Sequence, residues 1–163
     1  MSIKMLVRSL TGQCNFACRY CYASEHDRSM MSPETALAAV KLAADGGERF
    51  VIQFSGGEPL LNFDCLKAVV DYVHQEKLSA VLQLQTNGSL LTDKIAKYLY
   101  KNKVAIGVSL DGRPAVNDKL RLKKNGYGAT GEILKGIDVL RCNNIACGVT
   151  CVVTSENVDT LEG

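Results

Sequence analysis

Strand-like and helix-like segments alternate along the chain, and this alternation restricts the fold more than any other feature. Apolar runs of strand length recur five times, and segments with the 3.6-residue period of an amphipathic helix separate them. This pattern predicts an α/β fold with a parallel sheet and crossover helices. The predicted strands cover residues 3–8, 50–54, 80–85, 104–110 and 145–153. The predicted helices cover residues 33–44, 64–76, 93–100 and 130–141, and a further helix begins near residue 160.

Local signals set several of these boundaries. Ser32 is a favourable N-cap, Pro33 suits the first helical position, and Gly46-Gly47 ends the same helix. Thr92 is the predicted cap of the third helix. The remaining long connections are a polar linker at 24–31 and a polar loop at 113–129.

Composition and charge limit the class of protein. The chain has 163 residues, which fits one domain, and its 47% apolar and 22% charged residues are ordinary for a globular protein. The net charge of +2 gives no reason to expect nucleic acid or a membrane surface as a partner. The N-terminal residues lack the apolar core of a signal peptide, and no apolar run approaches the roughly 20 residues that span a bilayer.

Seven cysteines are present, of which three are clustered. The other four, Cys65, Cys142, Cys147 and Cys151, lie in apolar stretches and are predicted to be buried thiols. A second, auxiliary cluster on the last three is a less favoured alternative. A metal site plus buried thiols indicates a cytoplasmic protein in a reducing environment.

The cysteine cluster has the spacing C-x3-C-x2-C, formed by Cys14, Cys18 and Cys21. Thiolates suit iron–sulfur clusters and zinc. A four-iron cluster normally takes four cysteines, so this loop alone would leave one iron open to a ligand. Zinc sites usually add a second ligand pair, whereas His26 and His74 are isolated here. An iron–sulfur cluster is therefore favoured over zinc or over three core thiols.

Polar residues alternate with apolar ones along the three central strands. Period-two geometry places the polar residues of each strand on one side of the sheet. A buried parallel sheet is normally apolar on both faces, so a polar face indicates a curved sheet whose concave side holds a polar ligand. The polar sets are Gln53 with Ser55, then Gln83, Gln85 and Asn87, then Gly107, Ser109 and Asp111.

The loops after these strands carry the remaining motifs. Gly56-Gly57-Glu58-Pro59 is either a tight turn into a helix or a segment whose glycines let a ligand approach, with Glu58 offering a carboxylate to an ammonium group. Thr86-Asn87-Gly88 and Asp111-Gly112 are turn signals by themselves. The basic run 119–124 is typical of a solvated face, from which Arg121 is singled out below.

These motifs together resemble the radical SAM superfamily, and most closely its branch of peptide- and protein-modifying maturases, which includes the anaerobic sulfatase-maturating enzymes. Both the order and the spacing of the motifs match. The resemblance implies a partial (β/α) barrel. The residues that carry it are Cys14, Cys18 and Cys21 with Tyr20, Gly56-Gly57-Glu58-Pro59, Gln85-Thr86-Asn87-Gly88, and Ser109 with Asp111-Gly112.

The resemblance implies a cofactor pair and a reaction. Cys14, Cys18 and Cys21 would hold a [4Fe-4S] cluster, and S-adenosylmethionine (SAM) would chelate the fourth iron. Reduction by a flavodoxin or ferredoxin would cleave SAM to a 5′-deoxyadenosyl radical that abstracts hydrogen from a peptide or protein substrate.

The resemblance also implies a set of contacts to SAM. The backbone of Gly57 and the Glu58 carboxylate would receive the methionine ammonium, and Arg121 would pair with the methionine carboxylate. The other implied contacts are Ser109 to the ribose, and Tyr20 with the backbone near Val153 to the adenine.

Some features depart from the family pattern. Asn117-Asp118 stands where the family often has His-Asp, and about five strands are predicted where the usual core has six. We therefore expect residues 1–163 to form the N-terminal part of a truncated radical SAM core, without the sixth strand or the cysteine-rich C-terminal domain. The alternatives are an inactive iron–sulfur or SAM-binding remnant, a radical SAM enzyme acting on a small molecule, and a zinc-binding interaction module.

Overall fold

The computed structural model describes residues 3–23 and 28–160. Residues 24–27, which are the first half of the predicted 24–31 linker and include His26, lie outside these ranges, as does the predicted helix beyond residue 160. Within them the chain forms a five-stranded parallel sheet in the order β1-β2-β3-β4-β5. The strands are β1 (Met5–Ser9), β2 (Phe50–Ser55), β3 (Ala80–Thr86), β4 (Ala105–Ser109) and β5 (Gly148–Thr150).

Five α-helices connect or follow these strands in the described residues. Two single-turn 3-10 helices, Pro59–Asn62 and Val158–Thr160, complete the architecture. Every strand pairs only with its sequence neighbours, so the described sheet is an open, partial barrel with β1 and β5 at its edges. The helices are α1 (Pro33–Ala44), α2 (Phe63–Gln75), α3 (Asp93–Lys101), α4 (Pro114–Leu120) and α5 (Thr130–Cys142).

The predicted helix caps are confirmed. The Ser32 hydroxyl accepts a hydrogen bond from the Thr35 amide at 3.2 Å, and Pro33 occupies the first position of α1. The Thr92 hydroxyl accepts from the Ile95 amide at 3.3 Å at the start of α3. Each bond satisfies a backbone donor that the first helical turn leaves unpaired.

One face of the sheet carries the core. Phe50, Ile52 and Phe54 of β2 are almost completely buried, whereas the alternating residues of that strand are only partly buried. The same alternation runs through β3 and β4, so the helices cover the apolar face and the polar face stays open. The predicted polar face is therefore confirmed.

Two local predictions were wrong. The segment 113–129 is not a continuous loop, because Pro114–Leu120 forms α4 with Asn117 and Leu120 buried. Its one start signal is Pro114 at the first helical position, because Arg113 before it is not a favoured capping residue.

The fifth strand covers Gly148–Thr150 and not 145–153. Its predicted start belongs to the turn that follows α5, where the Ile145 amide donates to the Leu140 carbonyl at 2.9 Å. Its predicted end turns toward the loop after β4, where the Val152 amide donates to Asp111 Oδ1 at 2.9 Å.

No helix in the described parts of the chain is long and apolar enough to cross a membrane.

Candidate functional site

The cysteine loop follows β1 and packs directly on the Gly56-Gly57 turn that follows β2. The Gly57 amide donates to the Thr11 carbonyl, and the Glu58 amide donates to the Gln13 carbonyl, both at 2.8 Å. A Cβ atom on Gly57 would lie 2.1 Å from the Gln13 carbonyl oxygen, and one on Gly56 would lie 2.4 Å from the Thr11 oxygen. The two glycines are therefore required by the close approach of the cysteine loop, a reason that the sequence did not reveal.

The other side of the cysteine loop rests on the segment after α4. The Ala17 amide donates to the Leu122 carbonyl at 2.7 Å, and the Arg19 amide donates to the Leu120 carbonyl at 2.9 Å. These bonds act like a short strand pairing, since Phe16 and Lys123 form an antiparallel bridge. The loop is thus fixed by backbone hydrogen bonds on both sides.

Cys14, Cys18 and Cys21 all line one cavity of about 520 Å³, and all three are partly buried. Burial raises the pKa of the Cys18 thiol to about 11, against the opposing effect of the Arg121 guanidinium. Burial also raises the pKa of Cys14, and each thiol that binds a metal as thiolate would release its proton.

Three thiols on one loop are a donor set that fits an iron–sulfur cluster, because thiolates are the usual ligands of such clusters. In the described residues, no three His, Cys, Asp or Glu side chains are placed to hold a single ion. A cubane cluster needs a different arrangement, because each thiolate binds a different iron atom. Cys14 Sγ also accepts from the Phe16 amide at 3.4 Å and from Asn87 Nδ2 at 3.7 Å, two donors of the kind that surround cluster thiolates.

Glu58 is completely buried between the cysteine loop and the end of β3. Its Oε1 accepts from the Thr86 hydroxyl at 2.7 Å and the Leu60 amide at 3.1 Å, and its Oε2 accepts from the Asn87 amide at 2.7 Å. Glu58 therefore caps the first 3-10 helix as well as tying two strand-end loops together. Burial raises its pKa, which the three donors oppose. Since Oε2 accepts only one of these bonds, it keeps a lone pair for a further donor.

Asp111 and Arg121 form the second buried charged group. Arg121 Nη2 donates to Asp111 Oδ1 at 3.2 Å, and Arg121 Nε lies 2.9 Å from Oδ2 in an ion-pair contact that lacks hydrogen-bond alignment. The Tyr20 hydroxyl donates to the same carboxylate, and the Arg121 guanidinium lies 5.5 Å from the centre of the Tyr20 ring. Burial and the bond to Asp111 raise the pKa of Tyr20.

Asp111 contacts two of the three guanidinium nitrogens of Arg121. Nε and Nη2 face Asp111, and Nη1 makes no hydrogen bond to an acceptor among residues 3–23 and 28–160. Nη1 is the donor with which Arg121 could bind an anion while keeping its ion pair.

Ser109 lies on the open polar face at the end of β4. Its hydroxyl accepts from Gln85 Nε2 at 2.9 Å, and Gln85 Oε1 accepts from the Thr150 hydroxyl at 2.9 Å. This chain of bonds links β3, β4 and β5 across the polar face. Val153 follows β5 and is 61% exposed, so it extends beyond this network.

Asn87 was predicted only as part of the polar face and of a strand-end motif, and Asn157 was not predicted as a site residue. The Asn157 side chain is buried and donates to the carbonyl of Asp111 at 3.1 Å, so it fixes the loop after β4. Asn87 carries a signal in its strand-end Thr-Asn-Gly motif, whereas Asn157 carries none because its partner is 46 residues away.

The other cysteines are more scattered, and all seven are present as thiols. Cys65 is fully buried as predicted, whereas Cys142 is exposed, contrary to the prediction of burial. Cys142 ends α5 on its solvent side. Cys147 is partly buried, and Cys151 is partly buried with its Sγ accepting from Asn157 Nδ2 at 3.5 Å.

Residues 9–163 match the family model of the Radical SAM superfamily, and the chain belongs to that superfamily. An uncharacterized protein of Methanocaldococcus jannaschii is 38% identical over 98% of this chain and 56% of its own length. The Fe-coproporphyrin III synthase of Methanosarcina barkeri is 33% identical over 94% of this chain and 38% of its own length. The cysteine-type anaerobic sulfatase-maturating enzyme of Clostridium novyi is 28% identical over 98% of this chain and 47% of its own length.

A solved structure of native anSMEcpe with bound AdoMet and the Cp18Cys peptide has the same fold. It superposes with a TM-score of 0.84 at 25% identity, over 95% of this chain and 44% of that one. The predicted fold class, an open partial barrel of the radical SAM type, is thereby confirmed. The chain spans about half the length, or less, of these relatives.

Proposed function

We propose that this chain binds a [4Fe-4S] cluster and SAM and uses them for hydrogen abstraction. The observation that carries the proposal is that Cys14, Cys18 and Cys21 line one cavity, with two N–H donors directed at Cys14 Sγ. When bound together and reduced, the cluster and SAM supply a 5′-deoxyadenosyl radical. The membership of the superfamily supports the same chemistry.

The chain's own residues would bind and orient SAM at the carboxyl ends of the strands. Oε2 of Glu58 and the backbone of Gly57 would accept from the methionine ammonium, and an ionised Glu58 would be stabilised by that positive charge. Nη1 of Arg121 would donate to the methionine carboxylate while Asp111 holds the guanidinium plane.

The nucleoside end of SAM would lie along the open polar face. The Ser109 hydroxyl, oriented by Gln85, would bond the ribose. The Tyr20 ring, fixed by its bond to Asp111, and the backbone near Val153 would contact the adenine.

We further propose a peptide or protein substrate and an electron-carrying partner such as flavodoxin or ferredoxin. A relative named for sulfatase maturation and a neighbour solved with a peptide support the substrate class. The relative named Fe-coproporphyrin III synthase favours the alternative of a small-molecule substrate.

We also propose a cytoplasmic location, which the seven thiols support.

We propose that residues 1–163 are the N-terminal part of a radical SAM core domain. The support is the five-stranded sheet of the described residues and the coverage of 44% of the superposed neighbour.

Anaerobic reconstitution with iron and sulfide, followed by dithionite and SAM, tests the proposal. We expect about four iron and four sulfide per chain, and formation of 5′-deoxyadenosine that is lost in Cys18→Ala. Cys142→Ala is the matched control, because this exposed thiol lies outside the cavity and its loss should change neither result. Bound zinc without sulfide would overturn the cluster assignment. A loaded cluster without SAM cleavage would favour the inactive remnant.

A further inference from the structure

The side chain of Asn87 lies at the end of β3 and is only 7% exposed. Its backbone amide donates to Glu58, but its side chain reaches the cysteine loop on the other side of the turn. Nδ2 lies 2.9 Å from Asn15 Oδ1 and 3.7 Å from Cys14 Sγ. Neither the proposed cluster ligands nor the proposed SAM contacts include Asn87.

The hydrogen-bond network fixes which way the Asn87 amide points. Oδ1 accepts from the Ser89 backbone amide at 3.0 Å and from the Ser89 hydroxyl at 2.6 Å. A backbone N–H can only donate, so the carbonyl end of the Asn87 amide must face Ser89. The NH2 end must then face the cysteine loop, with one hydrogen for Asn15 Oδ1 and the other for Cys14 Sγ.

We propose that Asn87 is a positioning residue that acts through Cys14 to raise the reduction potential of the cluster. This inference rests on the proposed cluster site. One-electron reduction adds negative charge to the cluster and its thiolates, and an N–H donor aimed at a thiolate stabilises the more negative state. The burial of Asn87 keeps water from replacing this donor.

The test is an EPR-monitored redox titration of the reconstituted protein and of Asn87→Ala. Loss of the donor should shift the midpoint potential of the one-electron couple by about 59 mV to more negative values. This shift corresponds to a change of about tenfold in the equilibrium constant for reduction. Iron and sulfide content should stay unchanged.

Asn15→Ala is the matched control variant. Asn15 belongs to the same network, through Asn87 Nδ2 and the Ser89 hydroxyl, but among residues 3–23 and 28–160 its side chain makes no hydrogen bond to a cysteine sulfur. Its potential should stay close to that of the unsubstituted protein. Equal shifts in both variants, or no shift in Asn87→Ala, would overturn the inference.

A second measurement covers the case in which Asn87→Ala fails to fold. In the Asn15→Ala protein labelled with 15N at asparagine, where position 15 carries no label, pulsed EPR of the reduced cluster should detect a 15N hyperfine coupling from Asn87. Absence of that coupling would overturn the role of Asn87 while leaving the proposed function intact. Failure of the unsubstituted protein to take up any iron and sulfide would overturn both.

Discussion

The carboxylate of Asp111 and the guanidinium of Arg121 form a buried ion pair between the loop after β4 and the end of α4. Asp111 is completely buried and Arg121 is 6% exposed. The same carboxylate also receives the Tyr20 hydroxyl from the cysteine loop and the Val152 amide from beyond β5. One side chain thus connects three segments that are far apart in the sequence.

Asp111→Ala should lower the free energy of unfolding by about 3–5 kcal/mol, because it leaves the Arg121 charge buried without a partner. Urea denaturation followed by circular dichroism measures this loss. Glu156→Ala is the comparison, since its ion pair with Lys119 is exposed and should contribute about 0–1 kcal/mol. Equal losses in the two variants would contradict the importance of the buried pair.

Gly57→Ala should displace the cysteine loop, because its Cβ would lie 2.1 Å from the Gln13 carbonyl oxygen. We expect a loss of about 1–3 kcal/mol in stability and clearly reduced iron and sulfide content after reconstitution. Gly131→Ala is the matched control, since a Cβ added there meets no atom within 4 Å among the described residues outside its own helix backbone and chain neighbours. Normal cluster content in Gly57→Ala would show that the loop tolerates the displacement.

The stability difference between the unsubstituted protein and Glu58→Gln should depend on pH. Burial raises the pKa of Glu58 in the folded state. Its stabilising contribution is therefore present below the unfolded pKa of about 4.3 and is lost as the pH rises through the folded pKa. Glutamine does not titrate and should add only a constant offset.

Denaturation midpoints of both proteins, measured from acidic to neutral pH, test this prediction. The unsubstituted protein should lose stability relative to Glu58→Gln as the pH rises. Parallel curves would mean that the three donors to the carboxylate fully offset its burial.

Ser109→Ala should weaken SAM binding by about 2- to 13-fold, the equivalent of one hydrogen bond of about 0.5–1.5 kcal/mol. Equilibrium binding to the reconstituted protein measures the effect, and the iron content should not change. Ser32→Ala controls for the loss of a serine hydroxyl, because Ser32 caps α1 and lies outside the proposed SAM contacts. Unchanged affinity in Ser109→Ala would remove Ser109 from those contacts.

Periodicity and capping in the sequence were enough to predict most of the fold. The strands at 50–55 and 80–86 and the caps Ser32 and Thr92 follow from short-range preferences of the chain, and the structure has them close to the predicted positions. The helix Pro114–Leu120 was missed, and the last strand was predicted too long. The helix and the end of the strand bond to distant parts of the chain, through the Arg19 amide to the Leu120 carbonyl and the Val152 amide to Asp111. The start of the strand is instead set by the local bond from the Ile145 amide to the Leu140 carbonyl.

The sequence alone determined the family of this protein and its candidate residues, because motif spacing and the alternation of polar residues along strands are local properties. Only the tertiary structure decided how those residues are connected. The glycines support the cysteine loop, Glu58 is held by three donors, and Arg121 is paired with Asp111. Asn87 reaches Cys14 across 73 residues of chain. Such contacts depend on which loops the parallel strands bring to one edge of the sheet, and sequence distance carries no record of that proximity.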